Sequence, residues 1–231
     1  MVIHGFQKLT LLDYPGKVAC TLFSGGCNFR CPFCQNGNLV QHPEWEPVIP
    51  EEEIFAVLEK RRGVLDGVCV TGGEPTLDPD LERFVTKIKE LGYLVKLDTN
   101  GYRPEILKKL VEEKKIDYVA MDIKNAPSRY GETAGVKKID VMRINESVEF
   151  LKSGVVDYEF RTTVVREFHQ RSDFESIGKW IRGAKNYYLQ QFVDSGDLLQ
   201  QGLRGYNKDI MNQALEIVRQ YVPNAQLRGV E

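Results

Sequence analysis

The chain has 231 residues, 42% hydrophobic and 28% charged, which suits one large domain with a buried core and excludes wholesale disorder. Thirty-one Lys and Arg against thirty-three Asp and Glu leave a formal charge of −2, so no basic excess points to nucleic acid or an anionic membrane. No apolar run approaches the roughly 18 residues of a membrane span. Residues 1–17 are broken by His4, Lys8 and Asp13, unlike a signal peptide, so the expectation is a cytoplasmic protein without membrane or nucleic-acid partners.

In chain order, residues 2–10 suit an added edge strand or hairpin, and residues 17–23 read as a strand stopped by Gly25-Gly26. Residues 50–61 read as a helix with Pro at its start, three Glu in its first turn and Ile54, Val57 and Leu58 on one face. A short strand at 68–71 stops at Gly72-Gly73, and a helix at 79–91 turns Leu81, Phe84, Val85 and Ile88 inward. Then come a strand at 94–99, a helix at 104–113, a strand at 118–123 and a polar loop at 125–138. A helix at 141–151, a strand at 158–165, a helix at 173–182 and a strand at 187–192 follow. The last helix, 208–221, carries Ile210, Met211, Ala214, Leu215 and Val218 on one face.

Six strand–helix units in succession imply a parallel sheet with helices outside it. Six are too few for a closed eight-stranded barrel. The expected class is therefore α/β, a partial (β/α)6 TIM-like barrel built as an open parallel sheet. It would form one domain over 1–231, with its core at about 17–192, an N-terminal hairpin extension and a C-terminal helix.

Five cysteines, three of them within eight residues, make a poor disulfide framework. Cys27-Asn-Phe-Arg-Cys31-Pro-Phe-Cys34 is a C-x3-C-x2-C run whose thiolates would repel one another unless a cationic centre held them. Closed structural zinc wants four ligands, and the nearest candidates are His42, eight residues on, and Cys20, within a strand. An iron–sulfur cube is held by thiolates alone, and three of them leave one iron open. A three-Cys zinc site and three unrelated loop cysteines are the remaining readings. Cys20 and Cys69 read as core residues, and the isolated His4 and His169 as surface or capping residues.

In such folds chemistry gathers at the carboxyl ends of the strands. There the chain places the cysteine run, Thr71-Gly72-Gly73-Glu74-Pro75, Asp98-Thr99-Asn100-Gly101, Asp122-Ile123-Lys124, Arg161 with Thr163, and Gln190-Gln191-Phe192. Gly-Gly and Asp-Thr-Asn-Gly alone are turns, and Asp-x-Lys alone is an ion pair. Arg161 within an apolar strand needs a buried partner. Together these residues describe one pocket facing the cysteine loop.

The cysteine run with Phe33 inside it, followed by Gly-Gly-Glu, resembles the radical S-adenosylmethionine (SAM) superfamily. Asp13-Tyr14-Pro15-Gly16-Lys17, Phe23-Ser24-Gly25-Gly26-Cys27, Cys34-Gln35-Asn36, Met121-Asp122-Ile123-Lys124 and Phe160-Arg161-Thr162-Thr163-Val164-Val165 narrow the likeness. They are similar to the anaerobic ribonucleoside-triphosphate reductase activating proteins, relatives of pyruvate formate-lyase activase. The resemblance implies a [4Fe–4S] cluster on Cys27, Cys31 and Cys34, with SAM chelating the open iron. It implies Glu74 accepting from the SAM amino group, Gly72 and Gly73 allowing close backbone approach, and Phe33 beside the adenine. Asp98, Asn100, Asp122 and Lys124 would line the ribose and methionine side, Lys124 and Arg161 would meet the SAM carboxylate, and Val165 and Gln191 would contact the adenine. Asp98 and Asp122 are also candidates for a monovalent cation.

The implied partners are a glycyl radical enzyme, anaerobic ribonucleotide reductase foremost, and a reduced flavodoxin or ferredoxin-type electron donor, with residues 125–138 as the partner-gripping edge. Two departures set the chain apart from pyruvate formate-lyase activase: Phe192-Val193-Asp194-Ser195-Gly196 lacks the His found there, and Arg166 replaces a Pro. Radical chemistry on a small molecule or another peptide is the alternative within the superfamily. An iron–sulfur electron carrier or a zinc-stabilised binding module is the alternative outside enzymes.

Overall fold

The computed structural model describes residues 1–230 except 195 and 197. Ser195, within the stretch that lacks the His, lies outside the described residues. β1 (Ile3–Thr10) runs antiparallel to β2 (Ala19–Ser24) along the edge of the sheet. From β2 onward every neighbour is parallel: β3 (Gly67–Gly72), β4 (Leu94–Thr99), β5 (Tyr118–Asp122), β6 (Asp157–Val164), β7 (Tyr187–Gln191) and β8 (Gln226–Arg228). The spatial order follows the chain order from β1 to β8, as in an open barrel wound in one direction.

The crossovers carry α2 (Glu51–Lys60), α3 (Leu81–Glu90), α4 (Pro104–Glu112), α6 (Val141–Lys152), α7 (Arg171–Trp180) and α8 (Lys208–Arg219); α1 (Gly37–Gln41) and α5 (Tyr130–Ala134) are single turns beside the cysteine loop. No helix among the described residues is long and apolar enough to cross a membrane.

The strands form because sequences such as Val68-Cys69-Val70 and Ala120-Met121 can be buried on both faces, which a helix-covered parallel sheet demands. The helices form because their apolar residues share a stripe: α3 buries Leu81, Phe84, Val85 and Ile88, and α8 buries Met211, Ala214, Leu215 and Val218. Asp140 and Asn207 cap α6 and α8 by accepting from Met142 and Ile210 N–H groups. Cys20 and Cys69 are core residues, 0% and 1% exposed.

The structure departs from the sequence reading at four places. Residues 125–138 are not a polar loop. They hold a 3₁₀ turn at Pro127–Arg129 and then α5, whose Tyr130 and Ala134, one turn apart, are both buried. A five-residue helix is too short to show periodicity. For the same reason α1 is invisible in sequence, and β8 is three residues of Gln-Leu-Arg. His169 is neither surface nor cap: it is fully buried, with Nε2 2.9 Å from the Lys124 carbonyl and Nδ1 accepting from the Val165 N–H at 3.1 Å.

Candidate active site

The carboxyl ends of β2 to β7 enclose a cavity of about 250 Å³, roofed by the loop that carries Cys27, Cys31 and Cys34. That loop is anchored by its own aromatic residues. Phe29 is 2% exposed and meets Tyr102 and Tyr130 edge-on, and Phe33, 5% exposed, packs on Phe168 with ring centroids 6.0 Å apart. Backbone bonds from Arg30 N to Ala134 O and from Gln200 N to Pro32 O hold its outer side.

The Gly-Gly-Glu turn after β3 lies directly under this loop. A Cβ on Gly73 would fall 1.9 Å from the Gly26 carbonyl oxygen, and one on Gly72, at φ +116°, would fall 2.3 Å from that of Ser24. Glycine is thus required there by the cysteine loop itself. The bond from Glu74 N–H to Gly26 O, 2.8 Å, and that from Asn36 Nδ2 to Gly72 O, 2.9 Å, stitch the two segments together.

The Glu74 carboxylate is 1% exposed. It accepts from the Thr76 N–H and hydroxyl, from the Thr99 hydroxyl at 2.8 Å and from the Asn100 N–H at 2.7 Å. Burial pushes its pKa above the usual carboxylate value, and these four donors pull it only part of the way back. Asn100 in turn places its side-chain amide 2.8 Å from Asn28 Oδ1 and 3.8 Å from Cys27 Sγ.

Arg161 on β6 bridges two strand-end carboxylates, Asp122 at 2.9 Å and Asp98 at 3.1 Å; Lys124 joins Asp122 at 2.9 Å, and buried Lys96 joins Asp98. Burial alone would favour the neutral forms. The opposing charges win, holding Asp122 and Asp98 below and Arg161 and Lys124 above their ordinary pKa values. The two aspartates considered for a monovalent cation are therefore already bridged by a guanidinium.

Of the site residues read from sequence, Cys27, Cys31, Cys34, Phe33, Gly72, Gly73, Glu74, Asp98, Asn100, Asp122, Lys124 and Arg161 all line the cavity. Val165 and Gln191 do not: Val165 is buried, and Gln191 donates to the Tyr206 carbonyl. On β7, parity turns Gln190 inward in place of Gln191; on β6, Arg161 and Thr163 face the cavity, and Val165, of the same parity, lies beyond the end of the strand. Phe29, Gln35, Asn36 and Val40 were given no role by the sequence reading yet line the wall. The signal for Gln35 and Asn36 was their position directly after Cys34, whereas Val40 depends on the unread helix α1.

The residues present fit a cluster with an open corner. Cys27, Cys31 and Cys34 face one cavity, and among the described residues its lining adds no His and no fourth Cys. Among the described residues, no three Cys, His, Asp or Glu side chains converge as ligands of a single ion. Burial, with the Glu74 charge second, pushes the Cys27 thiol up to about 12, and burial pushes Cys31 up to about 11. Thiolates here therefore need a cationic centre beside them. Cys27 Sγ already accepts from the Phe29 N–H at 3.3 Å. Asn28 Nδ2, on the residue next to Cys27, is buried without an acceptor within the chain, a donor that a sulfur-rich group held by these cysteines would satisfy.

The profile of the radical SAM superfamily matches residues 21–181. A Methanocaldococcus jannaschii protein that carries the name of a glycyl-radical enzyme activating enzyme is 31% identical over 99% of this chain and 96% of its own length. The pyruvate formate-lyase-activating enzyme of Staphylococcus aureus is 34% identical over 43% of this chain and 41% of its own. Among solved structures, Streptococcus suis SuiB bound to precursor peptide SuiA superposes with a TM-score of 0.70 at 16% identity, over 90% of this chain and 48% of SuiB. The family implies a [4Fe–4S] cluster and SAM as cofactors. With the profile spanning most of the barrel and one relative alike from end to end, the chain belongs to the radical SAM superfamily and is a radical SAM enzyme.

Proposed function

We propose that the chain is an activating enzyme that removes a hydrogen atom from a glycine of a partner protein, leaving a glycyl radical, and that the partner is an anaerobic ribonucleotide reductase. The observation that carries the activase reading is the likeness, over nearly the full length of both chains, to the M. jannaschii protein of that name. The finer choice of partner is supported by the stretches around Asp122 and Arg161 and by the two departures from pyruvate formate-lyase activase.

A [4Fe–4S] cluster and SAM bound here would supply the one-electron reduction and S–C5′ homolysis of SAM that yield methionine and a 5′-deoxyadenosyl radical. Cys27, Cys31 and Cys34 would hold the cluster. Lys124 and Arg161 would meet the SAM carboxylate, with Asp98 and Asp122 fixing both cations in place. Glu74, whose Oε1 is taken by Thr76 and Thr99 while Oε2 accepts only the Asn100 N–H, would fix the wall around the cofactor and keep an acceptor site on Oε2 for the SAM amino group. A monovalent cation at Asp98 and Asp122 would have to share those carboxylates with Arg161. The segment 125–138, folded against the cysteine loop, would form part of the edge that grips the partner, and a reduced flavodoxin or ferredoxin-type protein would supply the electron.

The test is anaerobic reconstitution, followed by incubation with SAM, a strong reductant and candidate glycyl radical enzymes. A glycyl doublet in the electron paramagnetic resonance spectrum of a ribonucleotide reductase is the expected result. Release of 5′-deoxyadenosine with no glycyl radical on any candidate would move the assignment to a small-molecule or peptide substrate. A colourless, zinc-loaded protein would remove the enzyme reading altogether.

A further inference from the structure

Below the cavity lies an ion pair to which the proposed chemistry assigns no role, between the buried Glu159 and Arg228, whose side chain is 36% exposed. β6 turns Glu159 and Arg161 to the same inward side, two residues apart. Glu159 is 1% exposed, and a carboxylate so deeply buried needs a partner. That partner comes from the last strand. Arg228 on β8 donates from Nη1 and Nη2 to the two Glu159 oxygens at 3.0 and 3.1 Å, with its guanidinium 3.8 Å from the centre of the Tyr188 ring. The Tyr118 hydroxyl donates to Glu159 as well, at 3.2 Å. Arg161 turns the other way, to Asp98 and Asp122 at the cavity.

Two residues of strand separate the Glu159 and Arg161 backbones by about 7 Å, within reach of an Arg side chain that folds downward. Glu159 already acts on Arg161: burial works against the guanidinium, and Asp122, Asp98 and Glu159 together outweigh it. Three carboxylates thus compete for one guanidinium, and only Glu159 has another Arg bound to it.

We propose that Arg228 is a positioning residue for the cofactor site: by occupying Glu159 it leaves Arg161 with Asp98 and Asp122, where it can receive the carboxylate of SAM. This rests on the reading of Arg161 as a SAM ligand given above. β8, at the far edge of the sheet, thereby sets the affinity of a pocket it does not line.

The experiment uses the full chain, anaerobically reconstituted, with SAM binding measured by equilibrium dialysis and 5′-deoxyadenosine release measured alongside. In Arg228→Met the SAM dissociation constant should rise about tenfold while kcat at saturating SAM stays within about threefold, as expected when binding rather than chemistry is disturbed. Adding Glu159→Gln to that variant removes the competing charge and should restore SAM affinity to within about threefold of native. Glu159→Gln alone, which remains informative if Arg228→Met does not fold, should bind SAM at least as well as the native chain. The inference is overturned if Arg228→Met binds SAM normally, if the double variant is no better than the single, or if Glu159→Gln itself loses about tenfold in affinity. A native chain that does not bind SAM overturns the reading of the site, and this inference with it.

Discussion

Replacing Gly73 by Ala tests how the Gly-Gly-Glu turn and the cysteine loop depend on each other. The added methyl would lie 1.9 Å from the Gly26 oxygen and 2.6 Å from its carbonyl carbon, where ordinary contact begins at 3.4 Å, so one backbone segment must yield by about 1.5 Å. That oxygen cannot retreat freely, because it accepts the Glu74 N–H at 2.8 Å. Losing that bond costs about 1 kcal/mol. Forcing a methyl into a filled site costs about 1–3 kcal/mol. The sum, about 2–4 kcal/mol, lowers the melting temperature of a chain this size by about 10 °C. The strain is relieved most directly by moving Gly26, and Cys27 follows it. The assays are thermal unfolding of the metal-free protein and iron and sulfide content after anaerobic reconstitution; both should fall. A Gly73→Ala protein with native melting and a full complement of iron would refute the claim that the cysteine loop rests on this glycine.

Two other outcomes are expected. Cys31→Ala should lose nearly all bound iron and the brown colour while remaining folded, whereas Cys20→Ala, a core change in β2, should lose stability and keep its iron; equal iron in the two variants would remove the ligand assignment. His169 is fully buried and its pKa is held below 6.5, chiefly by burial. The unfolded chain therefore takes up a proton that the folded chain refuses. The associated stability is complete above about pH 6.5 and is lost as pH falls toward the folded value, by up to ~1.4 kcal/mol per pH unit. His169→Gln should flatten that acid limb in urea unfolding between pH 7.5 and 5.5, and identical slopes in the two proteins would contradict it.

The parallel strands were legible because burial on both faces writes itself as apolar runs such as Val68-Cys69-Val70, and the helices because α3 and α8 repeat their apolar residues each turn. The cysteine loop was legible because three thiols at that spacing have few structural uses. What escaped has two physical causes. Gln191 depends on which parity of β7 faces the cavity, where a shift of one residue exchanges the two faces, whereas Val165 shares the parity of Arg161 and Thr163 and falls outside because β6 ends at Val164. Alternation says which residues share a side but not which side is the lumen. Gln190 and Gln191 are chemically identical, so nothing in the local sequence separates the wall residue from the one that binds Tyr206.

The charged lumen is harder to read for a further reason. Lys96 sits between Val95 and Leu97, and Glu159 between Tyr158 and Phe160, patterns that on a half-solvated sheet would put both charges in water. Here both are 1% exposed, and each charge is met by a partner, Lys96 by Asp98 and Glu159 by Arg228, whose own side chain is 36% exposed. For Glu159 that partner is 69 residues away on β8, a strand of three residues with no apolar run to announce it. A buried charge is tolerable only once its partner is in place. The electrostatics of the inner face of β6 therefore depend on β8 being in place, and with them the orientation of Arg161 at the cavity.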